Sequence, residues 1–178
     1  MQSDEDLMLA VRDGDLDAFE AIVLRHQSEA WRVAYRFTGD AAEAEDLAQE
    51  AFLRVLAAAP RYEAKASFRT FLFRVLSRLC LDYVRKKRPA LPDALPPSAD
   101  DSLSPPQRAD RAEREALIQA ALNALPPDYR MAVVLRYFEG LSGTEMAEAM
   151  GRSAKAVERL LARAKTALEL QLKRLFED

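Results

Sequence analysis

The sequence predicts an all-α protein built from two small helical units. Three observations carry that reading. Only 5 of the 178 residues are glycine, and no strand-length run of Val, Ile and Thr occurs, while Ala, Leu, Glu and Arg abound. Apolar residues recur at helical spacing through most of the chain. Six of the nine prolines fall between residues 89 and 106, where they separate two periodic regions. At 49% hydrophobic residues, the chain has enough apolar surface to bury a core.

Caps and breakers set the elements. Asp4 to Arg12 reads as a short helix that ends near Gly14. From Asp17 to Phe37 the apolar positions Phe19, Ile22, Val23, Ala30, Val33, Ala34 and Phe37 keep a helical period, with Asp17 as the expected N-cap. Thr38-Gly39-Asp40 stops that helix and starts the next. That one, Ala41 to about Ala58, places Leu47, Ala48, Ala51, Phe52, Val55 and Leu56 on one face before Pro60 breaks it. After a loop, Ser67 is positioned to cap a helix that runs to about Arg88, ahead of Pro89. Residues 89–107 are expected to form an extended, mobile linker between a domain at 1–88 and a second at 108–178. The second domain reads as Arg108 to Leu125, stopped at Pro126-Pro127, and then Asp128 to Phe138, ending at Glu139-Gly140. Ser142 to Met150, a turn at Gly151 and Ser153 to about Leu175 complete it.

A formal net charge of −3 conceals a segregation. Residues 1–50 hold 4 basic and 13 acidic side chains, residues 51–88 hold 10 and 2, and residues 151–178 hold 7 and 4. A pI near 5.4 argues against indiscriminate nucleic-acid binding. Two local positive surfaces in an acidic protein point instead to local DNA contact aided by a partner. The single cysteine, Cys80, excludes an internal disulfide and suits a reducing cytoplasm, the expected location. No apolar run reaches the roughly 18 residues that a membrane helix needs, so no membrane insertion is expected. His26, the only histidine, continues an apolar face with Ile22, Val23 and Ala30 and reads as a packed core residue. One His and one Cys far apart make no metal-ligand set, and no glycine-rich phosphate cradle occurs. Neither a cofactor nor a catalytic residue is expected.

The sharpest local pattern is Ser142 to Leu161, SGTEMAEAMGRSAKAVERLL. Two helices meet at Gly151, which takes the left-handed turn that other residues resist. Ser142 and Glu145 form a capping box, Ser153 caps the second helix, and Ala147 is small where the helices approach. Met146, Met150, Val157 and Leu161 are spaced to share a core. This is the helix-turn-helix pattern, with Arg152, Lys155, Arg159 and Arg163 on one outward face of its second helix, as groove and phosphate contacts require. The plain alternative is a helical hairpin with a solvated basic face. A second pattern runs from Asp46 to Leu53, where Asp46, Gln49, Glu50 and Leu53 share the face opposite the core residues. Solvated surface and a docking face for a basic or amphipathic partner helix both fit it. The third is Ser67 to Arg88. Phe68, Leu72, Val75 and Leu79 make a core row, Arg74, Arg78 and Arg85 lie along another side, and Lys86, Lys87 and Arg88 follow. Phe71 and Phe73 cannot both face the same core. Cations interleaved with aromatics suit phosphate contact beside base stacking. A buried helix with a basic C-terminus favoured by the helix dipole fits equally well.

Together, AEDLAQEAFLRV, FRTFLFRVLSRLCLDYVRKKR and LPPDYRMAVVLRYFEGLSGTEMAEAMG, followed by the basic helix, resemble one family. They look like the small two-domain bacterial RNA polymerase sigma factors of the extracytoplasmic-function group, over about residues 15–90 and 108–173. The resemblance implies a transcription initiation factor that binds core RNA polymerase and promoter DNA, serves stress responses and is held in check by an anti-sigma factor. It implies that Asp46, Leu47, Gln49, Glu50 and Leu53 dock on the clamp helices of the polymerase largest subunit. Residues Arg61 to Phe73, with Arg61, Phe68, Arg69, Phe71 and Phe73 as the contacts, fall where the family melts the minus-ten element and holds an extruded base. Such capture must offset unstacking that costs about a few kcal/mol. Arg74, Arg78, Arg85, Lys86, Lys87 and Arg88 would hold phosphates there. Arg152, Ser153, Lys155, Ala156, Glu158, Arg159 and Arg163 would read the minus-thirty-five duplex, while the outer surface of that domain meets the polymerase flap. The linker would run into the RNA exit path, with Asp93, Asp100 and Asp101 mimicking RNA charge. Three positions depart from the family's habit: Phe71 stands where tryptophan is common, Arg78 where asparagine is, and Leu160 where arginine is.

Two other classes compete. A stand-alone helix-turn-helix repressor or activator would use residues 108–178 with the first domain as a sensor. An enzyme on a helical bundle would need ligands or acid–base pairs that the sequence lacks. An acidic docking helix together with an aromatic-basic stretch discriminates among them, because a sensor domain has no need of both.

Overall fold

The computed structural model describes residues 1–87, 102 and 104–177, and all regular structure among them is helical. Helix α1 spans Asp4–Arg12, α2 Leu16–Thr38, α3 Ala41–Ala58 and α4 Phe68–Lys86. In the second half α5 spans Pro105–Asn123, α6 Pro127–Val133, α7 Gly143–Met150 and α8 Ala154–Glu177. The linker expected over 89–107 falls mostly outside the described residues, as do Arg88, Asp93, Asp100 and Asp101.

Local chemistry explains most boundaries. Ser3 caps α1 in a box with Asp6, Asp40 caps α3 through Glu43 N, and Ser67 caps α4 through Thr70 N. Gly39 ends α2 in the left-handed region (φ 71°). The N-cap of α2 is Asp15, not Asp17. Asp15 Oδ1 accepts from the backbone N–H groups of Asp17 (3.0 Å) and Ala18 (3.1 Å), which leaves Asp17 in the first turn. Helix α5 begins earlier than the pattern indicates, because Ser104 caps it and Pro105-Pro106 occupy the first-turn positions that need no N–H partner. The stretch to Phe138 is not one regular helix. After Val133 it widens into a π-helical turn, Val134–Phe138, closed by Glu139 N to Val134 O at 3.1 Å.

The first four helices bury Met8, Ile22, Phe37, Phe68, Leu72, Phe73 and Leu76 completely. Packing continues into the second half through Leu122, Met131, Leu135, Leu141 and Met146. Arg130 is the pin between the halves. Its guanidinium donates to four carbonyls: Leu122 O (2.8 Å), Asn123 O (3.0 Å) and Leu125 O (3.1 Å) at the end of α5, and Phe37 O (2.8 Å) at the end of α2. Gln119 Nε2 adds a bond to Arg36 O (3.0 Å). Unpaired carbonyls at helix C-termini carry partial negative charge, so one half-buried cation satisfies two helix ends together.

His26 is buried as expected and its ring packs on Phe68, but both ring nitrogens face carboxylates. Nε2 lies 2.7 Å from Asp4 Oδ2 and Nδ1 lies 3.5 Å from Glu29 Oε2. Burial opposes the imidazolium, yet the hydrogen bonds to Glu29 and Asp4 prevail and raise the pKa above 6.5. Burial also opposes charge on Glu29, but its bonds from His26 and Arg69 lower that pKa to about 2.

Candidate nucleic-acid and partner interfaces

Three surfaces of different character are set on rigid helices. The first is the outer face of α3. Asp46, Gln49, Glu50 and Leu53 are exposed, Leu53 at 60%. Leu47 departs from the expectation for this face, because it points inward at 8% exposure and supports the face from beneath. Glu50 pairs with Arg54 one turn on (3.1 Å), and Gln49 donates to Glu45 (3.3 Å). These i, i+4 links order the side chains and leave the face acidic. Beside it lies a groove of ≈ 390 Å³ between α2 and α3, lined by Val23, Gln27, Trp31, Arg32, Gln49 and Phe52. Trp31 stacks on Tyr35 at 4.8 Å. Motif reading passed over Trp31 and Gln27. A lone tryptophan on the half-exposed side of a helix was the only signal for them.

The second surface is a cleft of ≈ 510 Å³ between the end of α3, the loop at 61–66 and α4. Its walls carry Arg54, Arg61, Lys65, Arg74 and Arg78, and its floor carries Tyr62, Phe71 and Val75. Helical phase decides which phenylalanine serves it. Phe71, Arg74, Val75 and Arg78 are three or four residues apart and share a face, whereas Phe68 and Phe73 belong to the buried side and are 0% exposed. Of the three rings expected to meet a DNA strand, Phe68 and Phe73 are therefore withdrawn and Phe71 alone lines the cleft. The edge of Tyr62 meets Phe71 at 5.4 Å, and the buried Tyr62 hydroxyl has no hydrogen-bond partner. Tyr62 is the second aromatic of the cleft and was absent from the expected set. Glu5 Oε1 of α1 accepts from Phe68 N (2.7 Å), so the first helix buttresses the start of α4. Lower on α4, Arg85 lies 3.6 Å from Asp82, and Lys87 is held by Glu43 and by the Tyr83 hydroxyl (2.8 Å). Arg69 differs from its neighbours. It is half-buried and turned away from the cleft, with Nε on Glu29 (2.6 Å) and Nη2 on Glu139.

The third surface is α7–turn–α8. Ser142 N donates to Glu145 Oε2 (2.7 Å) while Glu145 N donates to Ser142 Oγ (3.2 Å), the reciprocal box expected. Gly151 takes φ 61°, ψ 38° at the turn, and Ser153 Oγ accepts from Ala156 N (3.2 Å). Met146 and Val157 are buried in the shared core, and Leu160 joins them at 7% exposure, which removes that position from any phosphate contact. Arg152, Ser153, Lys155, Glu158, Arg159 and Arg163 are exposed, with Ala156 partly so. Arg152 is fixed by Asp128 (2.7 Å) at the rim of this face.

Among the described residues, no group of His, Cys, Asp and Glu is arranged to hold a metal ion, and no helix is long and apolar enough to cross a membrane. Cys80 is fully buried, which pushes its thiol pKa up.

Comparison with known proteins matches the same two segments. Residues 22–90 fit the family described as Sigma-70 region 2, and residues 115–168 fit Sigma-70, region 4. The RNA polymerase sigma-H factor of Pseudomonas aeruginosa is 31% identical, with 99% of this chain and 97% of that protein aligned. The ECF RNA polymerase sigma factor SigW of Bacillus subtilis is 32% identical over 93% of this chain and 94% of that one. Among solved structures, CnrH in complex with the cytosolic domain of CnrY superposes with a TM-score of 0.75 at 26% identity, covering 97% of this chain and 99% of that one.

Proposed function

We propose a role for each surface from one premise: the chain belongs to the extracytoplasmic-function group of RNA polymerase sigma factors. It is a transcription initiation factor, a binding protein rather than an enzyme, acting with core RNA polymerase at promoters. The acidic face of α3, through Asp46, Gln49, Glu50 and Leu53, docks on a basic or amphipathic helix of the polymerase clamp. The cleft takes the non-template strand of the minus-ten element, with Phe71 meeting an extruded base, the buried Tyr62 packed against Phe71 from beneath, and Arg61, Arg74 and Arg78 holding its phosphates. The exposed basic face of α8 enters the major groove of the minus-thirty-five element. The polymerase fixes the protein in the cytoplasm.

The observation that carries this reading is the division of labour along one chain. An acidic protein-binding face, a cation-walled aromatic cleft and an exposed recognition helix occupy separate surfaces, so all three can be engaged together. A base taken out of the stack costs about a few kcal/mol, and stacking on an aromatic ring returns about 1–3 kcal/mol. The cleft therefore comes close to balance by itself and needs the polymerase to position it. CnrH is held by the cytosolic domain of CnrY. A protein partner that acts as an anti-sigma factor is proposed for this chain. Reversing charge at the centre of the docking face tests the assignment. Asp46→Arg should weaken core polymerase binding by about tenfold or more while the circular dichroism spectrum and melting temperature stay unchanged. Wild-type affinity in that variant would remove the docking assignment.

A further inference from the structure

The start of α8 is basic, with one exception on its outward face. Val157, Leu160 and Ala164 turn the helix into the core. Over its first two turns that phase leaves three polar side chains exposed: Lys155, Glu158 and Arg159. Lysine and arginine only donate hydrogen bonds, so Glu158 is the one acceptor among them. Carboxylates on the neighbouring elements are committed. Asp128 accepts from Arg152 at the rim (2.7 Å), Glu145 closes the capping box with Ser142 N (2.7 Å), and Glu148 sits on Arg74 of α4 (3.3 Å). The hydroxyl of Ser153 already accepts from Ala156 N (3.2 Å). Glu158 makes no hydrogen bond or ion pair among the described residues, although Lys155 stands one turn before it and Arg159 beside it.

A free carboxylate is costly on a surface that approaches phosphates, because like charges repel. In the major groove it gains partners, since two base groups there donate: the amino groups of cytosine and of adenine. Adenine sets its N7 acceptor next to its amino group, so a carboxylate reaching that donor also meets a repelling lone pair. Cytosine carries a C–H edge beside its amino group and imposes no such penalty. Guanine and thymine present acceptors. We infer that Glu158 reads one cytosine of the minus-thirty-five duplex by accepting from its N4 amino group, and rejects the other three bases at that position. This rests on the groove-reading role given to α8 above, and makes Glu158 a specificity-determining residue instead of a solvated acid. Lys155 and Arg159 flank it and offset its charge as the helix nears the phosphates. Selectivity at that position then comes from repulsion of the wrong bases as much as from attraction of the right one.

The test uses the full chain assembled with core polymerase. Wild type, Glu158→Gln and Glu158→Ala select from a pool of duplexes randomised in sequence, and the bound duplexes are sequenced. Wild type should select an upstream element with cytosine at one position, preferred over each other base by about 5- to 150-fold. Glutamine pairs with adenine through N6 and N7. Glu158→Gln should therefore shift that one position from cytosine to adenine and leave the rest of the element intact, while Glu158→Ala should accept any base there. The side chain is exposed, so both variants should melt with the wild type. Unchanged preference at every position in both variants overturns the inference. So does a uniform gain in affinity for all duplexes, the result that a merely repelling surface acid would give. In either case an upstream element selected by all three proteins leaves the groove-reading role of α8 standing and removes only the cytosine contact. A wild type that selects no upstream element defeats that role and the contact with it.

Discussion

Phe68 and Phe71 lie three residues apart on one helix, yet alanine should have opposite consequences at the two positions. Phe68 is fully buried against His26, with ring centroids 5.0 Å apart. Removing it leaves a cavity and should cost about 3–5 kcal/mol of stability. For a chain of this size that lowers the melting temperature by about 2–4 °C per kcal/mol, or roughly 6–20 °C in all. Phe71 is half-buried and presents one face to the cleft, so Phe71→Ala loses less packing. What it removes is the proposed stacking platform, worth about 1–3 kcal/mol per base. That corresponds to about 5- to 150-fold in open-complex occupancy, at tenfold per 1.4 kcal/mol. The assay is open-complex formation by permanganate footprinting on duplex and on pre-melted templates, with thermal melts alongside. Phe71→Ala should fail on both templates if it stacks the captured base, and Phe71→Trp should restore activity. Wild-type open-complex occupancy in Phe71→Ala at equal folded fraction would refute the assignment of the cleft.

Three further outcomes follow from the geometry. Arg130→Ala removes the donor for four carbonyls at two helix ends and should destabilise by about 3 kcal/mol, a melting temperature fall of about 6–12 °C measured by calorimetry. The His26 pKa is raised in the folded state, so its stabilisation is complete below about pH 6.5 and fades as pH rises through the folded value. The lowered Asp4 and Glu29 pKa values stabilise above about pH 4 and lose that contribution as pH falls toward 2. The wild type should therefore melt lower at pH 8.5 than at pH 6.5, and His26→Gln should flatten that difference. Arg159→Ala on the recognition helix should weaken the promoter complex and reduce the slope of log K against log salt by about 1 if the contact is to phosphate. An unchanged slope points to base contact instead.

Much of this was legible in the sequence. Caps, breakers and the 3.6-residue period placed α1 and α3 with their observed ends and the others, apart from the π-helical end of the stretch to Phe138, within a few residues, because those signals are local. Asp15 and Asp17 were indistinguishable as caps, since both precede the same apolar face and only backbone geometry separates them. The helix-turn-helix was readable in detail because its turn, box and core spacing lie within twenty consecutive residues. The choice among Phe68, Phe71 and Phe73 was not readable. It depends on which side of α4 faces α2, a tertiary fact. Leu47 is different: helical phase already placed it on the apolar face of α3, and only the family resemblance set it on the docking surface. Arg130 and the chain from Asp4 through His26 and Glu29 to Arg69 were invisible for a related reason. Each joins residues far apart in sequence, and an arginine in a helical pattern reads as solvated until its four carbonyl partners are seen. Glu139 and Glu148 carry no local signal either: the first meets Arg69 from the turn after Phe138 and the second meets Arg74 from α7, both contacts over about 70 residues.

The central claim is that this chain recognises promoters only in company with the polymerase. It is tested most directly by run-off transcription and open-complex footprinting with purified core polymerase on the promoter region upstream of the protein's own operon. The expected result is weak duplex binding by the isolated protein, and a stable open complex with specific transcripts once core polymerase is added. Tight, sequence-specific duplex binding without polymerase, with no transcript when polymerase is supplied, would contradict it.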